Sequence, residues 1–419
     1  MDRNTDHDAN RRFPLTNPAP PPNLPDIGVS SPPHYHIQPS RPHHAAKEAR
    51  MLSNPSPNAM PESAEGYDVG TGKVVTLAKS HPVQYELFQT FVPADDKYSN
   101  TIELYDAVPK YFASKTLMAS KREGPEGQAK YLPTLERAFR YTDRVTGEEG
   151  VYAVEITPAR VKDRYGNEKE YYPSGQEELV EEALRKIACD RLNGIYLNNN
   201  AGVQFTMYEL RQELKRRGHE MRLSELIRSL TVCRRASIVI RKKSDKGEVY
   251  MDSAIFPTLV IAKRKEWEAN PKGTQCYVEF NPLVTRSINK LTYRQFDYVT
   301  FMQYRHQLSR WFHKRLFHNF TNADMLHPYS MLLTTIVRDS GLVNSQRVND
   351  RVKVVERALD ELKDKDVIYG FEKDERRGKR NRLQDILYTL RPSMEFISEM
   401  KRANKRSSQN AAALPSRTR

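Results

Sequence analysis

Cysteine is scarce in these 419 residues: Cys189, Cys233 and Cys276 are odd in number and far apart. They make neither a disulfide framework nor a metal-ligand cluster, a usage that suits a reducing cytoplasm. No apolar run reaches the length of about 18 residues that a membrane span needs, and the N-terminus has no hydrophobic signal core, so neither a span nor export is expected. Negative charge is in deficit. Lys and Arg number 67 against 53 Asp and Glu, for a formal charge of +14. Residues 1–80 hold eight basic and eight acidic side chains. The whole excess therefore lies in 81–419, and a basic folded body fits a polyanion, most simply nucleic acid. Arrangements of nucleophile, base and orienter at readable spacing are also lacking.

Two fragments resemble catalytic motifs and fail on context. His34-Tyr35-His36 has the His-hydrophobic-His pattern of rolling-circle nicking enzymes, but it sits among Pro32, Pro33 and Pro39, where no rigid metal geometry is held. Gly70-Thr71-Gly72-Lys73 is a poor phosphate loop: its first glycine is misplaced, and Val74 follows where a Mg²⁺-binding hydroxyl is required. The reading is a protein without catalysis and without a cofactor or metal.

Residues 1–80 contain 13 of the 26 prolines and no apolar periodicity. They read as a disordered leader, and 401–419 as a basic disordered tail. Between them, 81–290 and 291–400 read as two folded domains. Leu135 to Tyr141 and Val151 to Thr157 form a hairpin, and 119–130 reads as a loop. Gln176 to Leu192 is a helix with Leu179, Ala183, Leu184, Ile187 and Cys189 inward. Thr206-Met207-Tyr208-Glu209 is a capping box that opens a helix ending at Gly218. The next helix, Met221 to Arg235, buries Leu223, Leu226, Ile227 and Leu230. Strands at 237–240 and 249–256 then flank a turn with Arg241, Lys242, Lys243 and Lys246. Extra strands are expected at 258–262 and 275–280, and a link between the domains at 281–290.

The same order recurs in the second domain. An aromatic-rich helical stretch, Tyr293 to Phe320, supplies Phe296, Phe301, Trp311, Phe312 and Phe317 as core rather than as base-stacking groups. Leu332 to Ser340, with Gly341 as its cap, leads into Arg347 to Lys363. Along that helix Val348, Val352, Val355, Leu359 and Leu362 alternate in steps of four and three, which makes one apolar stripe. The opposite face carries Gln346, Asp350, Lys353 and Arg357, flanked by Arg347 and Asn349. The apolar runs 367–371 and 383–390 are joined by a connector with Arg376, Arg377, Lys379, Arg380 and Arg382. A packed helix with a polar outer face, followed by a hairpin with a cationic tip, is what a winged helix uses on DNA. A solvated helix beside a charged turn is the plainer alternative for either copy; recurrence in one basic chain favours DNA. The fold class expected is α+β, with two tandem winged helices.

Arg347 suits guanine, Gln346 and Asn349 adenine, and Asp350 a cytosine amino group. Lys353, Arg357 and the wing arginines suit phosphate. The first copy's helix shows a mixed outer face, Glu225, Arg228, Val232 and Arg235, which would serve a protein interface as well as DNA.

From Phe296-Asp297-Tyr298 through Leu308-Ser309 to Lys314-Arg315-Leu316-Phe317, and on through Met331 to Lys363, the chain resembles plasmid replication initiators of the tandem winged-helix kind, the TrfA and RepA groups. Gln204 to Leu210 opens the matching part of the first copy, and the resemblance spans roughly residues 130 to 400. It implies a protein that binds repeated double-stranded sites at a plasmid origin, helps melt the DNA, and recruits the host helicase and initiator. It also implies copy control, dominance of the second module in site recognition, and homodimerisation through the first. The proline-rich leader and the 258–280 insertion depart from the minimal pattern. A repressor or partition-type binder of the same fold, and a nicking endonuclease, are the rival classes.

Overall fold

The computed structural model describes residues 64–68, 74–77, 96–113, 131–142, 147, 149–162, 166–190, 193–244, 247–262, 269–270, 272–378, 381 and 383–413. The His34–His36 and Gly70–Lys73 motifs and the 119–130 loop lie outside them. All belong to one compact unit, Ala59–Arg419, which mixes helix and antiparallel sheet.

The first strands are β1 (Ala64–Asp68), β2 (Val74–Leu77) and β3 (Tyr98–Ile102). After α1 (Glu103–Ala107) come two hairpins, β4 (Leu135–Thr142) with β5 (Glu149–Thr157), and β6 (Ala159–Lys162) with β7 (Glu168–Tyr171). Helix α2 (Gly175–Asp190) precedes β8 (Gly194–Leu197) and β9 (Asn200–Phe205). A helix pair follows, α3 (Met207–Arg216) and α4 (Leu223–Arg235), then β10 (Ser237–Ser244), β11 (Gly247–Ser253), β12 (Leu259–Ile261) and β13 (Cys276–Glu279). One sheet runs β2-β1-β12-β13-β9-β8, and another β11-β10-β5-β4.

The second half opens with α5 (Pro282–Lys290), β14 (Tyr293–Asp297), α6 (Tyr298–Gln303) and α7 (Gln307–Asn319). Strand β15 (Tyr329–Leu332), α8 (Leu333–Ser340), α9 (Val348–Asp364), β16 (Ile368–Arg377), β17 (Leu383–Pro392) and α10 (Met394–Ala413) complete it. Their sheet is ordered β15-β17-β16.

Local signals explain several boundaries. Thr206 accepts from the Glu209 amide while the Glu209 carboxylate accepts from the Thr206 amide, so both halves of the capping box are present. Gly218 (φ +86°) and Gly341 (φ +61°) occupy the left-handed conformation that ends a helix at little cost to glycine. Gly202 answers a different need. A Cβ there would lie 2.4 Å from the Val278 carbonyl oxygen and 2.5 Å from the Tyr277 ring, inside the β9–β13 pairing.

Several expectations are corrected. The leader is not wholly unstructured, because β1 pairs with β12 and β2. The 281–290 link is the helix α5, capped by the Asn281 side chain. The aromatic stretch begins as a strand rather than a helix: β14 pairs residue for residue with β3, Tyr293 opposite Ile102 and Asp297 opposite Tyr98. The tail is helical to Ala413. Phe396, Ile397, Met400 and Ala403 are buried at helical spacing, and such a packed face supplies most of a helix's stability. One hydrophobic cluster extends from Ile102 to Met400, across the expected boundary at 290.

Charge joins the halves as well as apolar contact. Asp106 of α1 binds Arg185 Nη1 of α2 at 2.9 Å and Lys314 Nζ of α7 at 3.0 Å. Glu178 binds Arg310 Nε at 2.8 Å. From Glu177 to Cys189 helix α2 is thus buried on every side, charged residues included, and opposite charges together with hydrogen bonds such as Lys186 Nζ to the Tyr98 carbonyl at 2.7 Å make that tolerable.

Candidate nucleic-acid interface

The second helix pair presents the more open surface. Helix α9 buries Val355, Ala358, Leu359 and Leu362 completely, while Val352 is half-buried. Val348 departs from the expected stripe and is 40% exposed, because the core beneath the helix ends before its first turn. Arg347 is the N-cap residue rather than part of the first turn. The turn ahead of it is organised by Ser345, whose hydroxyl accepts from the Arg347 amide at 3.2 Å and donates to Asp350 at 3.3 Å. The Ser345 carbonyl accepts from Arg351 Nε at 2.6 Å.

Gln346, Arg347, Asn349, Asp350, Lys353 and Arg357 are all exposed. The side chains of Gln346, Arg347, Asn349, Lys353 and Arg357 make no hydrogen bond or ion pair among the described residues. Asp350 is committed to Ser345 and is the least free of the set. Arg357 also lines a groove together with Arg217, Arg305 and Lys365.

The hairpin that follows is less uniformly cationic than its arginines suggest. Glu372, Asp374 and Glu375 interleave with Lys373, Arg376 and Arg377, and all six are exposed. Lys373 reaches back to Glu356 of α9 at 2.9 Å, which ties the hairpin to the helix. Arg377 is held by Glu375 at 2.6 Å and by the Asn381 carbonyl at 3.1 Å. Arg376 is exposed with no partner among the described residues. Lys379, Arg380 and Arg382 lie outside them.

The first helix pair differs. Its α4 buries Leu226, Leu230 and Cys233 inward, as the periodicity predicts, but Val232 on the opposite face is only 1% exposed. The β6–β7 hairpin covers it. Val232, Ala236 and Ala159 form a small cluster apart from the main core, with Val161 and Tyr171 packed against it. Arg228 is half-buried, donating to Gln176 Oε1 at 3.1 Å and lying 5.6 Å from the Tyr171 ring centroid. Arg235 donates to the Arg160 carbonyl at 3.0 Å. Arg241 is paired with Glu155 at 2.7 Å, and Lys242 stands 5.7 Å from the Tyr152 ring centroid. Both lie in strand β10 rather than in a turn, as does the backbone of Lys243; the Lys243 side chain and all of Lys246 lie outside the described residues.

Sequence reading missed the covering hairpin, although its signal is present. Arg160-Val161-Lys162 and Glu168-Lys169-Glu170-Tyr171 flank Gly166-Asn167, two short alternating runs about a turn.

Among the described residues no three His, Cys, Asp or Glu side chains are grouped to hold a metal, and no helix is long and apolar enough to cross a membrane. The three cysteines are buried and unbridged.

No protein-family model matches this chain, and no curated protein matches it. Among solved structures it is similar to two crystal structures of domains 2 and 3 of RctB, each at 10% identity. They cover 69% and 71% of this chain and 96% and 99% of their own, at TM-scores of 0.39 and 0.38. A crystal structure of the Pi initiator protein in complex with iteron DNA is similar over 57% of this chain and 98% of its own, at 10% identity and a TM-score of 0.34.

Proposed function

We propose that this chain is a sequence-specific double-stranded-DNA-binding protein that initiates plasmid replication, built on two winged helices, α3–α4 with β10–β11 and α8–α9 with β16–β17. The observation that carries the DNA reading is the outer face of α9. Five polar side chains, Gln346 and Arg347 just ahead of the helix and Asn349, Lys353 and Arg357 on it, stand there exposed and without a partner among the described residues, beside a hairpin joined to the helix through Lys373 and Glu356. An exposed polar helix face of this kind is what base edges in a major groove require. Initiation at repeated origin sites, DNA opening, recruitment of the host helicase and initiator, and homodimerisation come from the resemblance of residue order to the TrfA and RepA groups. Binding is proposed without catalysis and in the cytoplasm.

A footprint on DNA flanking the gene, with a test of whether the chain supports replication of an origin plasmid, decides between readings. Several evenly spaced protected repeats and plasmid maintenance support an initiator. A single palindrome without maintenance supports a repressor. Nicking of supercoiled origin DNA by the purified protein with Mg²⁺ or Mn²⁺ would overturn the non-catalytic reading.

Three results are expected of the purified protein. Binding should weaken steeply with salt, with a log–log slope of about −5 to −9 for roughly six to ten neutralised phosphates. A slope shallower than about −2 contradicts a two-module footprint. Arg347→Ala should lower the ratio of cognate to scrambled affinity, because a bidentate guanine contact discriminates by about 1–3 kcal/mol. Combined alanine substitution of Arg376, Arg377 and Arg380 should instead weaken both affinities together and flatten the slope by about two to three. An unchanged cognate-to-scrambled ratio in Arg347→Ala would show that α9 does not read sequence.

A further inference from the structure

The covered face of α4 contrasts with the open face of α9. The cover has the properties of something made to come off. Its apolar contact, Ala159, Val161 and Tyr171 on Val232 and Ala236, is separate from the core cluster that holds the rest of the protein together. Its ion pairs lie at the surface. Arg160 meets Glu170 at 3.2 Å and Glu168 at 3.8 Å, and Lys162 meets Glu168 at 3.7 Å, each through at least one side chain more than 40% exposed. Surface pairs of this kind stabilise little. Two further ties hold the hairpin: Glu170 accepts from the Leu132 amide at 2.5 Å, and Arg160 stacks 4.2 Å from the Tyr131 ring centroid. The basic side chains of the hairpin are largely matched by its own acids, whereas it ties down two arginines of α4, the half-buried Arg228 and the exposed Arg235, that a phosphate backbone would attract.

We propose that the β6–β7 hairpin is a displaceable strap that keeps the first helix pair from DNA, and that duplex DNA is the ligand that lifts it. With the strap closed, Arg228 and Arg235 are held by Gln176, Tyr171 and the Arg160 carbonyl, and Val232 is out of reach. With the strap lifted, the two guanidinium groups gain phosphate partners and α4 becomes a second contact. A ligand shifts such an equilibrium only by binding one state better than the other, and these two arginines supply that difference. The proposal rests on the DNA-binding reading above and adds its regulation.

The test uses the full chain, a random-sequence duplex and a variant in which Arg160–Glu170 is replaced by two glycines. Ala159 and Tyr171 are paired across the hairpin, so a short bridge closes the gap. This variant should bind the duplex at least about fivefold more tightly at low salt, because no strap has to be lifted first, with the slope unchanged since both complexes engage the same two arginines. Arg228→Ala and Arg235→Ala together, in the strapless variant, should weaken low-salt binding and flatten the slope by about two. Unchanged or weaker binding by a folded strapless variant overturns the proposal, since the hairpin is then inert or is itself a DNA contact. Should that variant not fold, hydrogen exchange on the intact chain decides. The amides of Ala159–Lys162 and Glu168–Tyr171 should exchange at least about fivefold faster at saturating duplex, and greater protection sinks the idea. A parent chain that binds no duplex at any salt overturns the DNA-binding reading instead, a result distinct from either.

Discussion

Asp106→Asn should destabilise this protein by about 3–5 kcal/mol, the cost of leaving buried charge without its partner. Asp106 is almost wholly buried, yet it accepts from Thr101 Oγ1 at 2.6 Å and the Ile102 amide at 2.7 Å, and it faces Arg185, Lys314 and, at 3.9 Å, Lys110. Burial pushes its carboxyl up, and the three cations more than reverse that, holding it well below the usual range. Replacing the carboxylate by an amide removes the charge and keeps the volume, so the loss measures electrostatics rather than a cavity. Lys314→Met should cost less, because Arg185 still answers Asp106 and the methionine chain fits a site already lined by Phe296 and Phe301. Urea unfolding of both variants checks this. A loss below about 1 kcal/mol for Asp106→Asn would show that water or relaxation meets the stranded cations.

That network also shows where sequence reading runs out. Period-3.6 patterning located α9 because Val355, Leu359 and Leu362 bury against neighbours from the same stretch of chain. The Thr206 capping box and the glycines at 218 and 341 were legible because each acts within a few residues. The pairing of β3 with β14 was not, since the strands lie far apart in sequence and Tyr293–Asp297 carries no alternation that distinguishes it from the helix it precedes. Nor was α2: Glu178, Glu182 and Arg185 look like a solvated face until Arg310, Lys314 and Asp106 are brought against them. At the candidate interface, residue type marked the outer face of α9. Whether an outward residue is free depends on what covers it, and α4 has the same pattern beneath a strap. Val348 failed for the related reason that a helix can outrun its core.

A pH effect is expected from His313, which lies fully buried in α7. Its ring stacks on Phe317 with centroids 5.1 Å apart, its Nδ1 meets the Tyr304 hydroxyl at 2.9 Å, and its Nε2 has no partner among the described residues. Burial pushes its pKa down to about 4, the nearby Asp297 opposes this, and the charges of Lys314 and Lys97 add to it. The folded ring therefore stays neutral where the unfolded one, near 6.5, already binds a proton. As pH falls from 6.5 towards 4 the unfolded state takes up more protons, and stability declines through that window by roughly 3 kcal/mol from this group. Above 6.5 the contribution is complete. Glu399, pushed up to about 7 by burial, works with the opposite sign: its protonated form is favoured in the fold, and stability is lost as pH rises from about 4.5 to 7. The two partly cancel in the parent protein, so the informative quantity is the difference from His313→Phe, which fills the site and cannot titrate. The variant should lose about 3 kcal/mol less than the parent between pH 7 and pH 4, measured by urea unfolding at each pH. Parallel curves would mean that the buried imidazole takes up its proton in place, through a rearrangement of Tyr304 and Asp297 that offers the charged ring a partner.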